Sequence, residues 1–148
     1  MKINEKQIEE TIAAMEAEGF EDQFVENQGD YWNYMNSEGF KGLSESERQM
    51  LFFVNSVIYH TCVSAETPID FDIESFQEKE EANWSVREAE DKWEKAVDNY
   101  FQDYEEEDLL AFVEDMLVEE EIRRLSDIGK EVILITAKSY IDLLSDME

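Results

Sequence analysis

Hydrophobic residues recur at helical spacing from the beginning of the chain. Ile8, Ile12 and Met15 follow an i, i+4, i+7 pattern, and most of the positions between them are polar or acidic. This pattern predicts an amphipathic helix over residues 4–18. Residues 20–36 predict two short helices, or one broken helix, because a glycine interrupts an aromatic-rich stretch.

Two later segments are apolar around most of a helical circumference. The first follows Ser44 and Glu47, which have capping-box spacing, and it predicts a helix over about 45–64. The second predicts a helix over about 127–146. Within it, residues 132–136 are β-branched and also fit a strand, but the helical period continues through them. Helices that are apolar on most sides are buried, so these two form the predicted core.

The region between the two apolar segments is acidic and amphipathic. It predicts one long helix over about 74–104 and a further helix over about 106–125. In an unbroken helix Trp84 and Trp93 point to opposite faces, because nine residues at about 100° each leave them half a turn apart. One of the two tryptophans is then expected to be exposed.

Together these patterns predict an all-α, single-domain bundle of five or six helices over residues 1–148. The distribution of charge predicts the same layering. Residues 44–64 and 122–148 each carry a net charge of -1, whereas residues 65–121 hold 22 acidic and 4 basic residues, a net charge of -18. Since desolvating a charge is costly, the nearly neutral helices are expected inside, wrapped by the acidic amphipathic helices.

The composition fits a folded domain. The chain has 148 residues, 39 acidic against 12 basic side chains and a net charge of -27, yet 43% of its residues are hydrophobic and 12% are aromatic. A single cysteine permits no internal disulfide, and the first residues do not read as a secretory signal, so we expect a cytoplasmic protein. The first apolar segment is too short and too polar to span a membrane, so no membrane partner is expected.

The sequence offers no recognisable catalytic or metal-binding motif. His60 and Cys62 are two residues apart and would point away from each other on a helix. A single histidine leaves zinc and di-iron sites without ligands. The spacing from Asp70 to Glu81 resembles a calcium-binding loop, but Ser75 stands where that loop needs glycine. We therefore expect no catalytic residue, no metal and no cofactor.

Phosphate-bearing ligands are disfavoured as well. The sequence has no glycine-rich phosphate-binding motif. Its strong negative charge repels nucleic acid, so direct nucleic-acid binding is not expected.

Two clusters of acidic and aromatic residues remain as candidate interaction sites. Acidic side chains steer a basic partner toward the protein, and aromatic side chains supply much of the binding energy at interfaces. The candidate partner-binding residues are Tyr31, Trp32, Tyr34, Trp84, Tyr100, Tyr104, Glu105, Glu106, Glu107 and Asp108. The competing interpretation is that the aromatic residues belong to the core and the acidic ones only keep the bundle soluble.

The leading hypothesis is a non-enzymatic interaction protein, monomeric or homodimeric, that binds a basic protein partner as an inhibitor or adaptor does. Three alternatives stay open. A homo-oligomerising domain would place Trp84 or Trp32 at its seam. A nucleic-acid mimic would array carboxylates along one surface at phosphate-like spacing. An enzyme with a carboxylate site would hold an aspartate or glutamate of raised pKa in a pocket.

Overall fold

The computed structural model describes residues 2–18, 21–62, 71–118 and 125–146. Over these ranges the chain is all-helical, with eight α-helices and one short 3₁₀-helix at Glu38–Phe40. The α-helices are Glu5–Glu18 (α1), Glu21–Asn27 (α2), Gly29–Met35 (α3), Glu45–Cys62 (α4), Ile73–Glu88 (α5), Trp93–Phe101 (α6), Glu107–Val118 (α7) and Asp127–Asp146 (α8).

The all-α prediction is confirmed, whereas the predicted count of five or six helices is wrong. The main reason is a break in the segment predicted as one helix over 74–104. This segment divides into α5 and α6, and Lys92 between them has an extended backbone with φ -125° and ψ 139°. The break turns α6 back toward the bundle, so that Trp84 and Trp93 are both half-buried against the core instead of lying on opposite faces.

The helices α4 and α8 form the centre of the bundle. The helix α8 packs against α4, α5 and α7, while α1 packs against α4 and α7. The β-branched run 132–136 is helical and, from Ile133 onward, buried within α8. Twelve residues of α8 are buried, which agrees with the apolar character that the sequence gives this helix.

An aromatic cluster fills the space between the short helices and α8. Tyr31 and Tyr140 stack with their ring centroids 4.3 Å apart. Phe24 meets Tyr31 edge-on at 6.1 Å, and Phe76 lies 5.0 Å from the same ring. These contacts are worth more than their buried area alone, so they fix α3 and α5 against α8.

The predicted capping box at the start of α4 is present and also reaches α8. The backbone N–H of Ser44 donates to Glu47 Oε1 at 2.8 Å, and the backbone N–H of Glu47 donates to Ser44 Oγ at 3.2 Å. Glu47 Oε2 accepts from the backbone N–H and the hydroxyl of Ser126 at 2.8 and 2.7 Å. Although burial raises the pKa of Glu47, these hydrogen bonds bring it below its ordinary value.

Several predicted features lie outside the described residues. These are the end of the first core helix at residues 63–64, the residues that follow Val118 in the predicted 106–125 helix up to 124, and Asp70 of the calcium-like spacing. Among the helices that the structure describes, none is long and apolar enough to cross a membrane.

Candidate functional site

Tyr31, a candidate partner-binding residue, is a core residue in the structure. Its side chain has no exposed surface, and its hydroxyl donates to Asn55 Oδ1 at 2.6 Å. Burial, with smaller contributions from Tyr140 and Glu80, raises the pKa of Tyr31 well above its ordinary value. The side chain therefore joins α3 to α4 and presents no surface to a partner.

Tyr100 and Tyr104 surround a lysine of α8. The Tyr100 hydroxyl donates to the carbonyl oxygen of Asn83 at 2.5 Å, and the Tyr104 hydroxyl donates to Asp142 Oδ1 at 2.6 Å. Lys138 Nζ lies 4.6 Å from the centroid of the Tyr104 ring and 5.4 Å from that of Tyr100. Burial raises the pKa of Tyr100 to about 12, and burial followed by Asp142 raises the pKa of Tyr104.

The same lysine makes two hydrogen bonds in the interface between α5 and α8. Lys138 Nζ donates to Asn83 Oδ1 at 2.9 Å and to Asp142 Oδ2 at 3.0 Å. Asn83 Nδ2 in turn donates to Ser139 Oγ at 3.0 Å. The polar groups satisfy one another inside the bundle, which identifies this cluster as a structural network.

The acidic run 105–108 divides between the interior and the surface. Glu106 is buried and its Oε1 accepts from the backbone N–H of Ile3 at 2.7 Å, which holds the N-terminal segment against the start of α7. Glu105 and Glu107 are exposed, and Asp108 is half-buried. Glu105, Glu107 and Asp108 therefore present charge at the surface, whereas Glu106 does not.

The remaining candidate aromatic residues are half-buried and occupy separate places. Trp32 meets Phe52 edge-on at 5.0 Å and lines a cavity of about 230 Å³ beside α4. The Tyr34 hydroxyl donates to Glu80 Oε1 at 2.5 Å, and burial raises the pKa of Glu80 despite this hydrogen bond. Trp84 packs against the core from α5. The structure does not bring the three side chains together into one surface.

A groove between α1 and α7 combines apolar and acidic surface. It has a volume of about 310 Å³, and we refer to it as the α1–α7 groove. Its apolar lining residues are Ile8, Ile12, Ala111, Phe112 and Met116. Its charged lining residues are all acidic: Glu5, Glu9, Asp108 and Asp115. Both helices thus contribute an apolar floor and an acidic rim.

A second groove lies on the other side of α7, where α6 and α8 meet it. It has a volume of about 300 Å³, and we call it the Trp93 groove. Its apolar lining residues are Trp93, Val97, Leu117, Val118 and Leu134. Its charged lining residues are Glu94, Asp98, Glu114 and Lys130. Val118 is 72% exposed, so this end of the lining lies at the surface.

Glu114, which lines the Trp93 groove, has a pKa above its ordinary value. Burial raises its pKa first, and the neighbouring carboxylates Asp115 and Asp98 raise it further. The ionised form of Glu114 is therefore less favoured in the free protein than that of an ordinary glutamate. A raised carboxylate pKa is expected of an enzyme with a carboxylate site, and it also arises wherever carboxylates crowd together at a surface.

Of the residues that line the α1–α7 groove, the sequence placed Asp108 among the candidate partner-binding residues. A signal was nevertheless present, because Asp108 and Asp115 flank Phe112 at i+4 and i+7 spacing on one side of α7. On α1, Glu5 and Glu9 have i, i+4 spacing beside Ile8 and Ile12, which are spaced in the same way. Each helix thus carries an acidic stripe beside an apolar one, but the sequence does not show that the two helices are neighbours.

No known protein family, curated protein or solved structure matches this chain. Within the described residues, no group of three or more histidine, cysteine, aspartate and glutamate side chains is arranged to hold a metal ion. The two grooves beside α7 are therefore the candidate functional surfaces among the described residues.

Proposed function

We propose that this protein is a non-enzymatic interaction module that binds a basic segment of a protein partner in the α1–α7 groove. The observation that carries the proposal is the composition of the groove lining. An apolar floor lies within a rim whose four charged residues are all acidic. A complementary ligand has apolar side chains on one side and lysine or arginine on the other.

An amphipathic helix is the form of ligand that best suits this groove. Two helices form its walls, and a third helix can lay an apolar stripe between them, as in other helix-in-groove complexes. Apolar side chains at i, i+3, i+4 and i+7 would contact Ile12, Phe112 and Met116. Basic side chains beside that stripe would face Glu9 on one wall and Asp115 on the other.

The floor and the rim contribute differently to binding. Burial of apolar surface supplies most of the affinity, at about 25 cal/mol per Å². Each rim ion pair adds about 0.2–1 kcal/mol, because Glu5, Glu9 and Asp115 are exposed and screened by water. The net charge of -27 accelerates the encounter with a basic partner and repels acidic ones.

The same charge argues against a second copy of this chain in the groove. A homodimer would bring two chains of net charge -27 together at a rim that is already acidic. Juxtaposed like charges cost several kcal/mol at an interface. We therefore favour a different, basic protein as the occupant.

A binding measurement with a defined peptide tests the proposal. The probe is an amphipathic helix of leucine and lysine, about 14 residues long, which is an ordinary helix length. Its affinity is measured by calorimetry at about 0.15 M salt, where the screening length is about 8 Å. We expect the double variant Glu9→Lys/Asp115→Lys to bind about tenfold more weakly, because each reversal replaces an ion pair of about 0.2–1 kcal/mol by a repulsion of similar size.

A matched variant separates the groove from general attraction. Glu78→Lys/Glu81→Lys makes the same change in charge on exposed positions of α5, away from both grooves, and should alter the affinity by less than about twofold. Ala111→Phe fills the groove floor without changing the charge and should also abolish tight binding. Equal binding by both charge variants, or failure of the wild-type protein to bind the probe, would show the proposal to be wrong.

A further inference from the structure

The Trp93 groove extends the proposed binding surface to the other side of α7. Resting on the proposed function, we infer that this groove receives a lysine or arginine side chain from a second segment of the same partner. The aliphatic stem lies against Trp93 and Val97, and the charged head group lies between Asp98 and Glu114. The partner therefore contacts α7 from both sides.

The lining of the groove has the two parts that such a side chain needs. Lysine and arginine bury an apolar stem while keeping the charged end near polar groups. Trp93, Val97 and Leu117 provide the apolar surface for the stem. Asp98 of α6 and Glu114 of α7 provide carboxylates from two different helices for the head group.

The charged residues at the Trp93 groove have an excess of negative charge, which a bound cation would reduce. Glu94 and Asp98 approach from α6, Glu114 and its neighbour Asp115 stand on α7, and Lys130 of α8 is the basic residue in the lining. The lining itself thus has three acidic residues, Glu94, Asp98 and Glu114, and one basic residue, Lys130. A bound lysine or arginine would oppose the repulsion that Glu114 experiences from Asp98 and Asp115.

The aromatic face at Trp93 already has one cationic neighbour. The Arg87 guanidinium carbon lies 5.9 Å from the centroid of the Trp93 ring, and Arg87 is held there by an ion pair with Glu131 of α8. Arg87 itself does not line the groove. The ring is therefore fixed by residues of the fold, while the groove surface beside it stays available to a ligand.

Binding of a cation here is coupled to release of a proton. The pKa of Glu114 is raised in the free protein, and a cation beside the carboxylate lowers it. Glu114 therefore gives up its proton more readily in the complex than in the free protein. The affinity of this segment should rise with pH just above the ordinary glutamate pKa of about 4.3 and level off at neutral pH.

A tethered probe tests the inference separately from the proposed function. The leucine–lysine helix is extended by a Gly/Ser linker of about eight residues, which spans about 15 Å on average, and ends in Leu-Arg-Leu. This reach exceeds the 10–12 Å diameter of an α-helix, so the tail can pass over α7. Tethering makes the second contact intramolecular, and we expect the tail to raise the affinity about tenfold.

Variants of the Trp93 groove should remove this gain and nothing else. In Asp98→Asn/Glu114→Gln the tail should add less than about twofold, while the untailed helix binds as it does to the wild-type protein. The matched variant Glu78→Gln/Glu81→Gln has the same change in charge on exposed residues of α5 and should keep the full gain.

The outcomes distinguish the two proposals. Failure of the untailed helix to bind overturns the proposed function. Binding of the untailed helix without any gain from the tail overturns only this inference. An equal gain from a Leu-Gln-Leu tail also overturns it, because the contact would then be apolar and independent of the arginine charge. Calorimetry below pH 6 in two buffers of different ionisation enthalpy should also show proton release with the tailed probe that Asp98→Asn/Glu114→Gln lacks.

Discussion

The α8 and α7 sides of the bundle use acidic residues in opposite ways. On the α8 side, Asp142 accepts from Lys138 at 3.0 Å, and Glu131 pairs with Arg87 of α5. These carboxylates are largely buried and are matched by bases that neighbouring positions of α5 and α8 supply.

On the α7 side, the charged residues that line the α1–α7 groove are all acidic. They lie on two neighbouring helices, α1 and α7, whose packing brings their carboxylates close together. The same residue type thus stabilises the fold where a base lies beside it, on the same helix for Asp142 and on α5 for Glu131. Where a neighbouring helix brings another acid instead, the carboxylates leave a negative surface suited to recognition.

Removing the base from the α8 side should have the largest effect. Lys138→Met leaves Asp142 without its lysine in a mostly buried position, and loss of one member of a buried pair typically costs about 3 kcal/mol or more. Urea denaturation measures the free energy of unfolding. The matched change Lys95→Met removes an exposed pair with Asp91 and should cost less than about 1 kcal/mol. Equal losses would mean that the α8-side network is not structural.

The hydrogen bonds of Glu47 to Ser126 should be lost when a methyl group is added at Gly129. A Cβ at this position would lie 1.8 Å from Glu47 Oε2, so the carboxylate must move away from Ser126. We expect a loss of about 2 kcal/mol by thermal unfolding, although alanine normally stabilises a helix relative to glycine. Gly42→Ala meets no atom within 4 Å and serves as the control. A gain in stability from Gly129→Ala would contradict the tight approach of Glu47.

The contribution of Glu47 should depend on pH. Its pKa is lowered in the folded protein, so its stabilisation is present above the unfolded value of about 4.3 and is lost as the pH falls through the folded value. Glu47→Gln should therefore cost about 1 kcal/mol at pH 7 and progressively less in acid. Stability is measured as a function of pH for both proteins. Parallel curves would show that the charge of Glu47 does not matter.

On the α7 side, the contribution of Glu114 to stability should depend on pH in the opposite direction. The pKa of Glu114 is raised, so its ionised form destabilises the fold at neutral pH, and this penalty disappears below the unfolded pKa. Glu114→Gln should gain a few tenths of a kcal/mol at pH 7, because Glu114 is partly exposed and screened. Glu78→Gln on α5 should change stability less. Destabilisation by Glu114→Gln would mean that this carboxylate has a structural role.

The sequence predicted a helix well wherever neighbouring residues mark its extent. The helices 5–18 and 127–146 follow from apolar periodicity, and the start of α4 follows from the spacing of Ser44 and Glu47. The division between α5 and α6 was missed because neither glycine nor proline marks it in the sequence.

Composition alone did not separate residues that could bind a partner from residues of the core. Acidic and aromatic character selected Tyr31, Tyr100 and Glu106, but each of them is buried and bonded within the fold. Sequence distance explains the difficulty. Glu106 meets Ile3 across 103 positions of the chain, and no local pattern reports that contact.

The sequence by itself determined that this chain is helical, that α4 and α8 are apolar, and that most of its charge lies between them. These properties depend on side-chain period and composition, which act over one or two turns. The i, i+4 spacing of Lys138 and Asp142 already places that pair on one face of α8. Only the tertiary structure decided that Glu131 meets Arg87 and that the acidic stripes of α1 and α7 meet each other. Packing of α1 against α7 placed two acidic stripes around one apolar floor, because the free energy of apolar burial is large enough to hold like charges near one another at a solvated rim.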